Sequence, residues 1–91
     1  MVVSRKFFVS GIVQGVGFRY FTLRSAAAHQ VTGLVRNLPD GRVEVIANGP
    51  ESSIEAFRQD LSAGPTYSRV DKVEEIVIEA DREYRAFRID D

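Results

Sequence analysis

Two patterns in this 91-residue chain predict an α+β sandwich of the ferredoxin-like type, a mostly antiparallel sheet with two helices on one face. The first is the order of hydrophobic periods, which reads β-α-β-β-α-β and then a short extra C-terminal strand, the split βαβ arrangement. The second is the punctuation between periods. Glycine, proline and asparagine cluster at 15–17, 39–41, 48–50 and 64–65, where one period gives way to the next. The length admits one domain, residues 1–91, with no internal repeat, linker or low-complexity segment.

Residues 4–13 alternate as a strand, with Phe7, Val9, Gly11 and Val13 on the core side and Phe8, Ser10 and Ile12 on the other. Residues 18–30 read as a helix. Three consecutive alanines favour it, and Phe18, Phe21 and Ala28 contribute to its apolar side. Thr32-Gly33 ends that helix and starts a strand over 34–38. Pro39-Asp40-Gly41 is a turn in which proline sets φ, the carboxylate bonds locally and glycine takes the positive-φ position. A third strand over 42–47 makes the pair a β-hairpin, with Val43 and Val45 on one face and Ile46 on the other. Asn48-Gly49-Pro50-Glu51 opens a second helix, whose Ile54, Phe57 and Leu61 form a buried stripe. Gly64-Pro65 stops it. A fourth strand spans 69–79, with Val73 and Val77 opposite Ile76 and Ile78. The last spans 84–89, packing through Tyr84, Phe87 and Ile89.

Composition excludes several functions. With 44% hydrophobic and 27% charged residues the chain is that of a soluble globular protein. A net charge of −1 gives no strong electrostatic pull toward nucleic acid or anionic membrane. There is no cysteine, so no disulfide framework, thiol nucleophile or thiolate metal site. The N-terminus lacks a signal-peptide core, and no apolar run approaches the ~18 residues of a membrane span. The expected compartment is the cytoplasm.

The stretch Val13-Gln14-Gly15-Val16-Gly17-Phe18-Arg19 carries the chemistry. It is a strand-to-helix turn with two glycines. Glycine reaches φ > 0 freely, so successive backbone N–H groups can converge on one point beside a helix N-terminus. Arg19 falls in the first helical turn, where the dipole disfavours a cation by roughly 0.3–1 kcal/mol. A local rule broken at a glycine turn points to a bound anion. The turn is neither a P-loop, since no Gly-Lys-Ser/Thr follows, nor a dinucleotide fingerprint, whose third glycine would fall at Tyr20. The plain alternative is a tight turn with an exposed arginine.

Asn37 stands in a strand, where asparagine is depleted. It either bonds into the Asp40-Gly41 turn or holds a water or substrate oxygen. His29, the only histidine, lies ten residues beyond Arg19, or ~15 Å along a helix. It is a surface or helix-end residue and, alone, a poor metal site. Asp71, Glu74, Glu75, Glu79, Asp90 and Asp91 read as solvated faces and a tail. Glu74 and Glu75 point to opposite faces, which spoils acid–base cooperation. An RNA-binding sheet would need an aromatic-studded basic motif, and neither 34–38 nor 42–47 contains an aromatic.

Gly11-x-Val13-Gln14-Gly15-Val16-Gly17-Phe18-Arg19-x-Phe21 resembles the first signature of the acylphosphatases. Gly33 to Glu44, through Val35-Arg36-Asn37-Leu38-Pro39-Asp40-Gly41, resembles their second. Gly64-Pro65 and Tyr84-x-x-Phe87-x-Ile89 also fit, so the resemblance spans nearly the whole chain. Leu34 departs from it, standing where many members carry tryptophan. The resemblance implies hydrolysis of the carboxyl-phosphate bond of a small-molecule acyl phosphate, giving carboxylate and inorganic phosphate, with no cofactor and no metal. It implies that backbone N–H groups of Gln14, Gly15, Val16, Gly17, Phe18 and Arg19 cradle the phosphate. It further implies that the Arg19 side chain binds phosphate oxygens and that Asn37 positions the attacking water. No acyl group is singled out among acetyl phosphate, carbamoyl phosphate and 1,3-bisphosphoglycerate.

Residue chemistry agrees with that reaction. A carboxylate leaving group has a pKa near ~4 and needs no general acid. Phosphoryl transfer asks mainly for positioning and charge stabilisation, which one guanidinium and preorganised N–H donors supply. The expectation is a monomeric cytoplasmic enzyme with no nucleic-acid or membrane partner. Its rivals are a non-catalytic anion-binding module, a domain serving a larger carbamoyl-phosphate-using enzyme, and an RNA binder. The end of the chain just after its last strand favours a free-standing enzyme over the second of these.

Overall fold

A computed structural model describes residues 1–80 and 83–90. Its elements are β1 (Val2–Ile12), α1 (Phe18–Ala28), β2 (Thr32–Asn37), β3 (Val43–Pro50), α2 (Glu51–Ala63), β4 (Arg69–Ile78) and β5 (Phe87–Ile89). The five strands form one sheet in the order β4-β1-β3-β2-β5. All neighbouring pairs are antiparallel except β2–β5, which is parallel. This is the ferredoxin-like α+β arrangement that the order of periods predicts.

One sheet face is built from Phe7 and Val9 of β1, Val35 of β2, and Val43, Val45 and Ala47 of β3, all with no exposed surface. Phe18 and Ala26 of α1 and Ile54, Phe57 and Leu61 of α2 close over them. Phe57 sits at the centre, edge-on to Phe7 at 6.1 Å and to Phe87 at 5.9 Å between ring centroids. Such pairs add roughly 0.5–1.5 kcal/mol each beyond their buried area.

Several expectations need adjustment. Gly11 is exposed rather than core-facing, because the β1–β4 register shifts between Ser10 and Gly11 and the bulge rotates the strand end outward. Val13 is buried although the strand ends at Ile12. In α1 the buried positions are Phe18, Thr22, Ser25 and Ala26, while Ala28 is exposed and Phe21 half-buried. Two of the four are polar, which hides the stripe from a hydrophobic count. The Thr22 hydroxyl donates to the Phe18 carbonyl at 2.9 Å and the Ser25 hydroxyl to Asp60 Oδ2 at 2.7 Å, so neither is buried unsatisfied. Asn48, Gly49 and Pro50 are the end of β3, and Pro50 is also the N-cap of α2. The helix therefore opens at Pro50-Glu51 as expected, while the strand runs right up to it. β1 is long enough to pair with all three. β5 covers Phe87–Ile89 alone, so Tyr84 lies outside it. His29 is the C-cap of α1, with Nε2 3.1 Å from Asp60 Oδ2, as expected of a helix-end histidine.

The acidic residues of β4 are exposed as expected. Glu75 opposes Phe7 and Glu74 opposes Phe8, on opposite faces. Asp91 lies outside the described residues. Glu44 escaped that reading. It is buried on the helix-free face, with Arg36 Nε 2.5 Å and Lys6 Nζ 3.7 Å from its carboxylate. No helix among the described residues is long and apolar enough to cross a membrane.

Candidate functional site

β1 ends at one corner of the sheet, and the chain turns into α1 through residues 13–17. Gly15 and Gly17 hold φ of 74° and 79°, in the left-handed region that favours glycine. A Cβ at either would meet nothing within 4 Å. Glycine is therefore required here for its conformation, and the space in front of it is open. Gly17 is the N-cap of α1 and offers no side chain to its first amides, and the first turn carries no acidic residue. A helix leaves its first N–H groups without intrahelical acceptors, so this end presents donors and a positive dipole together.

What fixes the loop against the sheet is Gln14. Its Nε2 donates to the carbonyls of Leu38 and Arg42, both at 2.9 Å. Those carbonyls belong to the β2–β3 turn, which is closed by Leu38 N–H to Arg42 O at 2.8 Å and Gly41 N–H to Leu38 O at 3.1 Å. Asp40 completes the turn, accepting from the Arg42 N–H at 3.0 Å and from Arg42 Nε at 2.8 Å. These bonds hold its carboxyl below the usual carboxylate range.

Beside the loop lies a hollow of about 180 Å³. Of the residues singled out from sequence, Gly15, Gly17, Phe18, Arg19 and Asn37 line it. Gln14 and Val16 do not. Gln14 spends its side chain on the staple just described, and Val16 packs half-buried against the core. Phe18 is 1% exposed, so its side chain is a packing element.

Asn37 is the last residue of β2, opposite Val43. Its Oδ1 is buried and accepts no hydrogen bond from the protein. The option that Asn37 bonds into the Asp40-Gly41 turn through this oxygen is thereby removed, since Gln14 and Asp40 do that work. An unpaired buried carbonyl costs roughly 1–3 kcal/mol. Asn37 as a residue lines the hollow.

Three further residues line the hollow: Val13, Tyr20 and Ile89. Val13 is buried beneath it. Tyr20 follows Arg19 on α1, and Arg24 Cζ stands 5.9 Å from its ring centroid. Ile89 arrives from the far end of the chain because β5 runs parallel to β2, with Ile89 opposite Val35 and the Asp90 N–H bonded to Val35 O at 2.9 Å. Periodicity marks Ile89 as a packing residue, and only the parallel pairing, invisible in sequence, brings it to the site. Among the described residues no group of three or more His, Cys, Asp or Glu is placed to hold a metal ion.

Comparison with known proteins places this geometry in a family. The acylphosphatase family model matches residues 5–89. The acylphosphatase of Mannheimia succiniciproducens is 50% identical over 74 residues, covering 81% of this chain and 82% of that one. The crystal structure of acylphosphatase from Bacillus subtilis superposes with a TM-score of 0.92 at 35% identity, covering 98% of each chain. The structure of HypF from T. kodakarensis matches with a TM-score of 0.86 at 38% identity, over 99% of this chain but only 12% of that one.

Proposed function

The chain belongs to the acylphosphatase family, and from that premise we propose how it hydrolyses the carboxyl-phosphate bond of an acyl phosphate. Backbone N–H groups of residues 14–19 and the Arg19 guanidinium hold the phosphoryl oxygens, and Asn37 holds the attacking water. The Asn37 carboxamide bonds that water and turns an oxygen lone pair toward phosphorus. As the new P–O bond forms, the bond to the acyl oxygen breaks and its electron pair leaves with the carboxylate. The water's proton passes to a phosphoryl oxygen, so the products are carboxylate and inorganic phosphate.

No general acid is needed, because the leaving carboxylate has a pKa near ~4. No strong base is needed either if the phosphorus is nearly metaphosphate-like when water arrives. Positive charge comes from one guanidinium and the amides at the start of α1, so turnover is metal-independent. The observation that carries this reading is that Asn37, from the end of β2, lines the same hollow as Gly15, Gly17 and Arg19 of the loop and α1. Phosphate release from acetyl or benzoyl phosphate in excess EDTA tests it. Turnover should persist undiminished; loss on chelation with recovery on adding a divalent ion would overturn the metal-free reaction.

The same proposal has residues 1–91 acting as one domain, a cytoplasmic monomer with no nucleic-acid or membrane partner. The net charge of −1, which gives no strong pull toward nucleic acid or anionic membrane, supports the last two points. Size-exclusion with light scattering checks the monomer. A second reading, a module within a larger enzyme, is favoured by the match to a short part of HypF. Turnover by the 91-residue chain alone would show that hydrolysis needs no further segment.

A further inference from the structure

The hollow divides by the chemistry of its lining: Gly15, Gly17, Arg19 and Asn37 suit a phosphoryl group and water, and Val13, Phe18, Tyr20 and Ile89 are apolar or aromatic. Its volume of about 180 Å³ is well under the ~300 Å³ at which pockets begin to enclose drug-sized ligands. With the phosphoryl group and attacking water beside Gly15, Gly17, Arg19 and Asn37, the acyl group meets the rest of the lining. Two large side chains there combine apolar surface with solvent exposure: Tyr20, 60% exposed, and Ile89, 36% exposed. Single exposed hydrophobics are ordinary on a protein surface, but these two line one hollow from separate elements. The Tyr20 ring is steadied by Arg24 one turn further along α1, and the Ile89 backbone by its pairing with β2.

The geometry points to an acyl-group subsite formed by Tyr20 and Ile89, which selects acyl phosphates whose acyl part is apolar and ring-sized over those with a small or polar one. This inference rests on the hydrolytic reading above. The selection is made by area removed from water when the acyl group covers the ring and the branched side chain, while the phosphate contacts are common to all substrates. Differences of a few methylene equivalents in such a contact discriminate by roughly 10–200-fold.

The test compares kcat/KM for benzoyl and acetyl phosphate. The unaltered protein should favour benzoyl phosphate by about tenfold or more. Tyr20→Ser and Ile89→Asn should each lower the benzoyl-to-acetyl ratio several-fold, and the double variant should bring it close to one. Tyr20→Phe and Ile89→Leu, which keep the apolar surface, should retain the ratio. A double variant, folded by circular dichroism, that keeps the ratio of the unaltered protein would overturn the subsite while leaving the hydrolytic reading in place. Hydrolysis of neither substrate by the unaltered protein would remove that reading, and the subsite with it. If Ile89→Asn does not fold, Tyr20→Ser, at an exposed helix position, decides alone.

Discussion

The proposed chemistry turns on Arg19. Arg19→Ala should lower kcat by about 10²–10³-fold or more, on the scale of removing one preorganised donor from a site of developing charge. Inhibition by inorganic phosphate should disappear with it, while the far-ultraviolet circular dichroism stays that of the folded protein. Asn37→Ala separates the other role. It should cost about 10²-fold in kcat with a much smaller change in the phosphate inhibition constant. If phosphate affinity fell as far as kcat, Asn37 would be a phosphate ligand instead of a water holder. Gln14→Ala is expected to worsen kcat and KM together, by about 10–100-fold in their ratio, because displacing the loop by even ~1 Å disturbs reacting geometry. Local chemistry made Gly15, Gly17 and Arg19 legible in the sequence, since a positive-φ turn before a misplaced cation is written in residue types. The side-chain role of Gln14 was not legible. Its two acceptors lie 24 and 28 positions away, and no local pattern encodes such a pairing.

At the scale of elements, the hairpin of β2 and β3 carries both Asn37 and the turn that anchors the loop. Gly33 is essential to it. A Cβ there would stand 1.8 Å from the Ile46 carbonyl oxygen at φ 142°, so Gly33→Ala must push β2 away from β3. We expect a loss of about 2–4 kcal/mol, measured by urea unfolding. The turn has a pH signature of definite sign. Asp40 is held below the usual carboxylate range chiefly by the Arg42 backbone N–H and then by the Arg42 side chain. A depressed folded-state value means that its contribution is present above the ordinary carboxylate range and is lost as pH falls through and below it. Asp40→Asn should therefore flatten part of the acid limb of the stability curve without altering it at neutral pH by more than a small amount, because the pair is exposed. Element boundaries were the least legible feature. Pro50 looked like a helix opener because proline's fixed φ suits that position. It is one, as the N-cap of α2, and it is also the last residue of β3, because β1 reaches far enough to pair with it, which residue types do not show. The buried stripe of α1 was misread for a related reason. Thr22 and Ser25 are polar in sequence and buried in the fold, once their hydroxyls have found acceptors.

Across the whole molecule, the aromatic cluster around Phe57 joins α2 to β1 and β5. Phe57→Ala should destabilise the protein by about 3–5 kcal/mol, which in a chain of this size lowers Tm by roughly 4–8 °C for each kcal/mol lost. Topology was readable because hydrophobic period and turn chemistry agreed at almost every junction, and such agreement between levels is what specifies a fold. Sheet order was not readable from residue types, and with it went the placement of Ile89.

That order has a consequence for how activity reports on structure. The walls of the hollow are drawn from residues 13–20, from position 37 and from position 89, and they meet only after the hairpin has docked on β1 and the final strand has joined β2. A half-assembled chain therefore owns every ingredient and no workshop. During refolding, restored turnover of an acyl phosphate would register the meeting of these separate stretches, which helix content alone does not report.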